Sequence, residues 1–404
     1  MLRLVADELP NFNDVNVATA FNKLGKICSF RLFPRNIAAD DSFRRLMLSA
    51  RALCADGRLQ AREFSNITHA VAKMSAAGKF GTGDAGVEDT LAALEKRVVL
   101  VAENMAPQGV SNTVYSFALL GRMPGTDARA VLEAALVRVA PGMKSQEVSN
   151  VMWATATLGL NLRAETWAAL ESAVVRVGPD MTPQAVATTL RSVLSPAATR
   201  GVPLPACYPS LWRAACGFEH RSVGPEDMKT MFHAQLIHTE LVSGEMRDEV
   251  TLPLWIMHEA REAWMSNARD AVSVSHSVKE VANILGDLGI RHEVEHLTDD
   301  GYFSIDVYLS ESDVALEFDG PAHFIITDGG EGVDPGDASG ISTRTPTRTL
   351  STETRDMFLA RRHRVVLSVP WFEWAEFNGK GAAEKQAYVT AKLRSVGFSI
   401  PAST

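Results

Sequence analysis

The sequence lacks three features that would narrow its function at once: a long apolar run, a cysteine motif and an excess of positive charge. No apolar run approaches the length needed to span a bilayer, so we expect no membrane-spanning segment. The four cysteines form no CxxC pair and have no histidine at metal-ligand spacing, which favours free thiols in a reducing compartment. Lys and Arg number 40 against 48 Asp and Glu, which excludes the broad basic field of a non-specific nucleic-acid binder.

Charge is distributed unevenly along the 404 residues, a length that suggests two or three domains. Residues 1–276 carry 28 basic and 28 acidic side chains, whereas residues 277–404 carry 12 and 20 and so account for the whole net charge of −8. Residues 1–10 are acidic and do not have the pattern of a signal or transit peptide. We therefore expect any contact with RNA or DNA to use local basic positions, stacking or base edges.

A motif recurs in the first two thirds of the chain. Residues 107–121 and 145–159 share Gln, Val, Ser, Asn, an aromatic residue, Ala, Leu and Gly at a spacing of 38, and residues 183–190 form a weaker third copy. Two degenerate copies lie upstream, at residues 16–25 and 64–74. Each unit has the apolar periodicity of two amphipathic helices, so the pattern predicts an α-solenoid in which each unit buries its apolar face against its neighbours.

This motif resembles the octotricopeptide repeat, a 38-residue helical-pair family of organellar RNA-binding proteins. The resemblance implies sequence-specific binding of single-stranded RNA along one concave face, at about one base per unit. Asn112 and Asn150 are then candidate RNA contacts, and hydrogen bonds between helices are the other interpretation of both. Tyr115 and Trp153 fit either the core or a base-stacking platform, and such a solenoid can equally bind protein.

The most distinctive part of the C-terminal third is residues 302–324. Two segments that alternate in hydrophobicity flank Ser310–Asp313, which predicts a β-hairpin. A symmetric turn places Asp306 opposite Glu317, with Asp319 on the same face. Directly opposed like charges destabilise a hairpin, so we expect these carboxylates to be offset by a cation, a shared proton or a metal.

The element pattern gives a domain organisation. We predict an α-solenoid of helical-pair repeats over residues 1–238 and a capping helix with a linker over 239–275. Residues 277–395 read as a small α/β domain with the order α-β-β-β-α-β-α. A stretch rich in Gly, Asp, Ser and Thr, residues 327–347, is expected to be a mobile insertion in it.

The C-terminal domain resembles the RAP domain, a module of organellar RNA-binding proteins. The resemblance rests on Ile305-Asp306-Val307, Leu316 to Phe324, Arg355, Arg364 to Pro370, and Trp374. The RAP domain in turn looks like the PD-(D/E)xK nuclease fold, in which an Asp and a second acidic residue hold Mg²⁺ for phosphodiester hydrolysis. Asp306 and Glu317 match this metal pair, and Asp319 stands where the nuclease pattern has Lys.

Three interpretations of the carboxylate face remain open. A degenerate nuclease fold would bind RNA or protein without cutting. An active Mg²⁺-dependent ribonuclease would use the three carboxylates as candidate catalytic groups, with His323 or Arg355 in place of the missing Lys. A structural cluster would be neutralised by Arg355, Arg361 or Arg364.

A basic stretch and two tryptophans lie near these carboxylates. The stretch consists of Arg344, Arg348, Arg355, Arg361, Arg362, His363 and Arg364. It is either a solvated helix face or a set of phosphate contacts. Trp371 and Trp374 either stack on a base or belong to the core.

Together, the resemblances imply an RNA-binding protein of a mitochondrion or chloroplast that acts in RNA processing, stability or translation. The expected partners are single-stranded RNA, either a transcript or rRNA, and ribosomal or other RNA-processing proteins, with no membrane. No cofactor is expected unless the nuclease is active, in which case it is Mg²⁺. The alternatives are a Mg²⁺-dependent endoribonuclease and a structural component of an organellar ribosome or another ribonucleoprotein.

Overall fold

The computed structural model describes residues 1–30, 33–80, 84–219, 222–241, 252–270, 274–328 and 344–400. Most of the predicted insertion at 327–347 therefore lies outside the described residues. Contacts divide the chain into two compact units. The first contains Met1–Val193, Pro205–Ala214 and Ile325–Thr347, and the second contains Leu194–Leu204, Ala215–Phe324 and the chain from Arg348 onward.

In the first unit, helices packed in tandem form two rows. The first row consists of α1 (Leu2–Glu8), α3 (Asp41–Ala55), α5 (Ala85–Val101), α7 (Thr126–Val139) and α9 (Ala164–Val177). The second row consists of α2 (Asp14–Ile27), α4 (Ala61–Ala76), α6 (Pro107–Leu119), α8 (Ser145–Leu158) and α10 (Pro183–Arg200). As far as α8 and α9, each helix packs on its predecessor in the row. A hydrogen bond from Ser149 to the Ala185 carbonyl joins α8 to α10, and α11 (Tyr208–Cys216) follows α10.

Two contacts of the first row recur at a spacing of 38 residues. Arg138 donates from Nη2 to the carbonyl oxygens of Ala102 and Met105, at 3.1 and 2.8 Å. Arg176 makes the same pair of bonds to Ala140 and Met143, at 3.1 and 2.7 Å. The carbonyls lie in the turn that precedes a second-row helix, so each arginine fixes that turn to the next first-row helix.

The second recurrent contact caps helices. Glu95 accepts a hydrogen bond from the backbone N–H of Gly125 at 2.7 Å, and Glu133 accepts one from Arg163 at 3.0 Å. Both donors immediately precede a helix of the first row, where backbone N–H groups have no partner within the helix. A carboxylate of the preceding first-row helix accepts these hydrogen bonds. Its negative charge also interacts favourably with the positive end of the helix dipole.

The second unit contains helices around a small mixed sheet. Its helices are α12 (Pro225–Leu236), α13 (Leu254–Asp270), α14 (His276–Asp287), α15 (Leu350–Arg362), α16 (Trp371–Ala375) and α17 (Ala382–Ser395). The sheet has the order β1-β2-β3-β6, formed by Glu293–Leu297, Ser304–Leu309, Val314–Asp319 and Val365–Pro370. Strands β1, β2 and β3 are antiparallel, and β3 and β6 are parallel. Strands β4 (Phe324–Asp328) and β5 (Arg344–Arg348) pair separately, and most of their residues belong to the first unit.

The two faces of the four-stranded sheet differ. One face is apolar: Val307, Leu316 and Val369 belong to a buried cluster that includes Val281 of α14 and Leu393 of α17. The opposite face presents the carboxylates to α15. Period-two alternation produces this division, because successive side chains of a strand point to opposite faces.

Residues 225–241 and 252–270 pack within the second unit. Trp264 of α13 donates from Nε1 to the carbonyl oxygen of Tyr302 at 2.7 Å, and Phe232 of α12 contacts the Tyr302 ring at 5.2 Å. Arg362 of α15 bonds Glu240, just after α12, at 2.9 Å. The described contacts of these residues thus include the C-terminal α/β elements. Among the described helices, none is both long and apolar enough to cross a membrane.

Candidate functional sites

The predicted hairpin register is confirmed. Val307 pairs with Leu316 and Leu309 with Val314, which puts Asp306 opposite Glu317. The backbone N–H of Phe318 donates to Asp306 Oδ2 at 2.7 Å. The three carboxylates therefore converge on one face, as the alternation predicts.

Arg355 joins two of these carboxylates. Its guanidinium lies 3.1 Å from Glu317 Oε2 and 2.8 Å from Asp319 Oδ1, and it bonds Asp356 at 2.9 Å. Arg348 of β5 adds a contact of 3.1 Å to Asp319 and one of 2.6 Å to Asp356. A planar guanidinium with several donors suits such multiple contacts.

Burial and these cations separate the pKa values of the carboxyl groups. Burial raises the pKa of Glu317 to about 8, and Arg355 opposes this only in part. Burial also raises the pKa of Asp306, against the effect of the Phe318 N–H. Burial alone would raise the pKa of Asp319 as well, but Arg355 and the Ser368 hydroxyl lower it below its usual value. Burial therefore favours the neutral form of Glu317, whereas Arg355 and Ser368 favour the ionised form of Asp319.

His323 borders this cluster. Its Nδ1 lies 3.1 Å from Thr352 Oγ1 and 3.6 Å from Asp319 Oδ1. Burial lowers the pKa of His323, and the charge of Arg355 lowers it further. The ring is therefore mainly neutral at physiological pH.

As arranged, the carboxylates do not fit a Mg²⁺ site. A hard divalent cation requires several ionised or carbonyl oxygens directed at one point. Here Arg355 bonds Glu317 and Asp319, and burial favours the neutral form of Glu317. Among the described residues, no group of three or more His, Cys, Asp or Glu side chains could hold a metal ion. The structural interpretation named Arg355, Arg361 or Arg364 as the neutralising group, and Arg355 has that position.

The basic stretch does not form one surface. Arg362 bonds Asp300 at 2.6 Å as well as Glu240. Arg364 donates from its backbone N–H to Asp313 Oδ2 and from Nε to the Ser312 carbonyl. His363 also bonds Asp313, at 2.8 Å, whereas Arg361 is exposed. The side chain of Arg344 lies outside the described residues.

The two tryptophans have different surroundings. Trp374 is 3% exposed, donates from Nε1 to Glu280 at 3.3 Å and lies under Lys385. It therefore belongs to the core. Trp371 is half-buried, and its Nε1 is buried with no hydrogen-bond partner among the described residues.

The first unit contains a polar groove along its second row of helices. The groove encloses a cavity of about 440 Å³ and runs from α2 across α4 and α6 to α8. Its lining includes Asn22, Lys26, Asn66, His69, Lys73, Gln108, Asn112, Lys144, Gln146 and Asn150. Its charged lining consists of the three lysines, which the sequence interpretation did not single out, and Glu147.

The groove amides are not used for packing between helices. Within the described part of the chain, no hydrogen bond is formed by the side chains of Asn66, Asn112 or Asn150. The preceding serines make the interhelical bonds instead: Ser111 Oγ donates to the Glu147 carbonyl at 3.1 Å, and Ser149 Oγ to the Ala185 carbonyl at 3.3 Å. In these two Ser–Asn pairs, the serine bonds the neighbouring helix and the asparagine lines the groove.

Three rings continue along the groove. His69 and Tyr115 have ring centroids 6.0 Å apart, and Tyr115 and Trp153 have centroids 4.8 Å apart. All three are half-buried. Each follows the groove asparagine of its helix by three residues, so a ring and an amide lie on the same helical face.

Comparison with known proteins assigns no family to this arrangement. No protein-family model matches the chain, and a search of curated proteins finds no match. The two sites are therefore interpreted from their chemistry. The groove has unused hydrogen-bonding groups, whereas the carboxylate cluster is internally paired.

Proposed function

We propose that the chain binds single-stranded RNA in the groove of α2, α4, α6 and α8 and acts in the processing, stability or translation of organellar RNA. The observation that supports this best is the row formed by Asn66, Asn112 and Asn150. These amides line a polar cavity and have no hydrogen-bond partner among the described residues. An amide offers both a donor and an acceptor, which is the combination that base edges require.

The lysines of the groove supply the charge for a phosphate backbone. Lys26 and Lys73 lie in the last turns of α2 and α4, Lys144 immediately precedes α8, and all three line one cavity. The surrounding sequence is neutral, so this local set, rather than a general basic surface, would attract RNA. Local charge with amide contacts favours a selective binder over a non-specific one.

The three rings lie on the same helices as the groove asparagines, and His69 also lines the cavity. At 4.8 Å between centroids, Tyr115 and Trp153 leave no space for a base between them. A base would instead lie against the exposed ring edges while the amides contact its polar edge. Single-stranded RNA suits this geometry because its unpaired bases can be turned outward.

We further propose that the C-terminal domain contributes to docking on RNA or protein and does not cleave. Arg355 satisfies Glu317 and Asp319 from within the domain. A nuclease of the resembled fold would need these groups for metal and water. The internal pairing supports an architectural role for the cluster.

The test is a binding measurement with a randomised single-stranded RNA library, followed by selection. The double variant Asn112→Leu/Asn150→Leu removes the amides but keeps their size. Each base contact is worth roughly 1–3 kcal/mol, so we expect affinity for the selected RNA to fall at least about 10-fold. The matched control is Asn104→Leu/Asn161→Leu, two exposed amides outside the groove. Failure of the wild-type protein to bind any RNA, or equal losses in both double variants, would contradict the proposal.

A further inference from the structure

Among the described residues, a half-buried arginine of the first unit has no counter-charge. Arg191 lies in α10, and burial lowers its pKa. Among the described residues no hydrogen bond or ion pair involves its side chain. A cation that is removed from water without a partner destabilises the protein that contains it, so Arg191 is not there to stabilise the free protein.

Other half-buried arginines of the same unit are satisfied. Arg97 donates to the Leu59 and Gly57 carbonyls at 2.9 and 2.6 Å. Arg122 pairs with Glu88 and Glu95 at 3.0 and 3.1 Å. The fold therefore provides acceptors for arginines that stabilise it, and Arg191 differs from them.

Two hydrogen bonds between helices show which positions of α6 and α8 are equivalent to Arg191 of α10. The bond from Ser111 to the Glu147 carbonyl joins α6 to α8, and the bond from Ser149 to the Ala185 carbonyl joins α8 to α10. Each bond spans 36 residues, and the second lies 38 residues after the first. Helix α10 therefore continues the row with the same register.

This register extends the row of amide and ring positions by one unit, onto α10. Trp153 follows Tyr115 by 38 residues, and Arg191 follows Trp153 by 38. Thr188 likewise takes the position of Asn150. Helix α10 thus has the guanidinium of Arg191 where α4, α6 and α8 have a ring, and the hydroxyl of Thr188 where they have an asparagine amide.

We propose that Arg191 binds a pair of RNA acceptor atoms at the subsite that follows Asn150 and Trp153. This proposal rests on the RNA-binding function proposed above and assigns a residue to one end of the groove. The guanidinium fork matches two geometries, the O6 and N7 atoms of guanine or two oxygens of a phosphate. In either case the RNA supplies the acceptors that the protein lacks.

The experiment compares RNA binding by Arg191→Met and Arg191→Lys, using the RNA selected by the wild-type protein and a set with each nucleotide changed in turn. If Arg191 contacts guanine, both variants lose at least about 10-fold discrimination at one nucleotide and keep the salt dependence. If it contacts phosphate, Arg191→Met weakens binding to all sequences and reduces the salt slope by about 0.7, and Arg191→Lys restores part of it. Unchanged affinity, discrimination and salt slope in Arg191→Met would overturn the proposal. A wild-type protein that binds no RNA would instead overturn the proposed function.

Thermal unfolding separates a binding role from a structural one. The matched control is Arg176→Met, because Arg176 donates to the carbonyls of Ala140 and Met143. We expect Arg176→Met to lower the unfolding midpoint of the free protein, and Arg191→Met to leave it unchanged or raise it. An Arg191→Met midpoint lowered as far as that of Arg176→Met, with RNA binding lost only in proportion to unfolded protein, would show a structural role and refute the proposal.

Discussion

The groove of the first unit and the carboxylate face of the second contain similar polar side chains but differ in how these are satisfied. On the carboxylate face, Asp319 is bonded by Arg348 and Arg355. In the groove, Asn112 and Asn150 have no hydrogen-bond partner within the described residues. The carboxylate face is therefore satisfied within the fold, as buried polar groups normally are. The groove asparagines are only half-buried, and we propose that RNA uses their hydrogen-bonding groups.

The largest expected effect concerns Arg355. Arg355→Met leaves Asp319 with half of its cationic partners and removes the bond to Glu317. Breaking a buried pair by removing one partner costs roughly 3–5 kcal/mol, which we expect as the loss in the free energy of unfolding measured with urea. Arg361→Met, an exposed neighbour on the same helix, is the control and should change stability little. A stable Arg355→Met protein would show that the carboxylates do not need this cation.

The next effect concerns the charge of the groove. Lys26→Glu/Lys73→Glu/Lys144→Glu should lower RNA affinity strongly and reduce the salt slope by about 2, since each lost phosphate contact contributes roughly 0.7. Fluorescence anisotropy with a labelled RNA over a range of salt concentrations measures both quantities. The triple control Arg3→Glu/Lys96→Glu/Arg129→Glu changes net charge equally on the first row of helices. If the control weakens binding as much, the groove has no special role.

The sequence predicted the local parts of both sites. It named Arg355 as one of three candidate partners of the carboxylates without selecting among them, and it did not single out the groove lysines. Period-two alternation was sufficient for the register of Asp306 and Glu317, and Gly159 ends α8 with φ of 62° as a helix-ending glycine does. The role of Arg355 required knowing which face of α15 lies on the sheet. Tertiary packing decides this, and it also divides the basic stretch among separate partners.

For the groove too, the sequence did not predict which side chains the packing of the helices brings together. The repeated motif marked Asn112 and Asn150, but it contained no sign that their amides would remain unpaired. The lysines occur at different positions of their helices and converge only through the packing of the row. A spacing of 38 residues predicts which residues are equivalent, whereas it does not predict which of them line a cavity.

A smaller effect follows from the protonation of Glu317. Its pKa is about 8 in the folded protein against an ordinary value of 4.5, so the folded state binds more protons than the unfolded state between these values. The contribution of Glu317 to stability is therefore full below about pH 4.5 and is lost as the pH rises toward 8. We expect Glu317→Gln to remove this decline, measured as the difference in unfolding free energy from wild type between pH 5 and pH 9. Glu311→Gln, in the exposed turn, should follow the wild-type profile.

The smallest expected effects come from comparing a paired side chain, Glu133, with an unpaired one, Asn150, among the described residues of the first unit. Glu133 accepts from the Arg163 N–H and from Thr166 Oγ1, at 3.0 and 3.2 Å, whereas the Asn150 side chain has no hydrogen-bond partner among the described residues. Glu133→Met should lower the free energy of unfolding by about 1–2 kcal/mol, because helix-end donors lose their acceptor, and should leave RNA affinity unchanged. Asn150→Leu should do the opposite, preserving stability and reducing affinity. If both variants change the same quantity, pairing in the free protein does not distinguish groups that stabilise the fold from groups that bind a ligand.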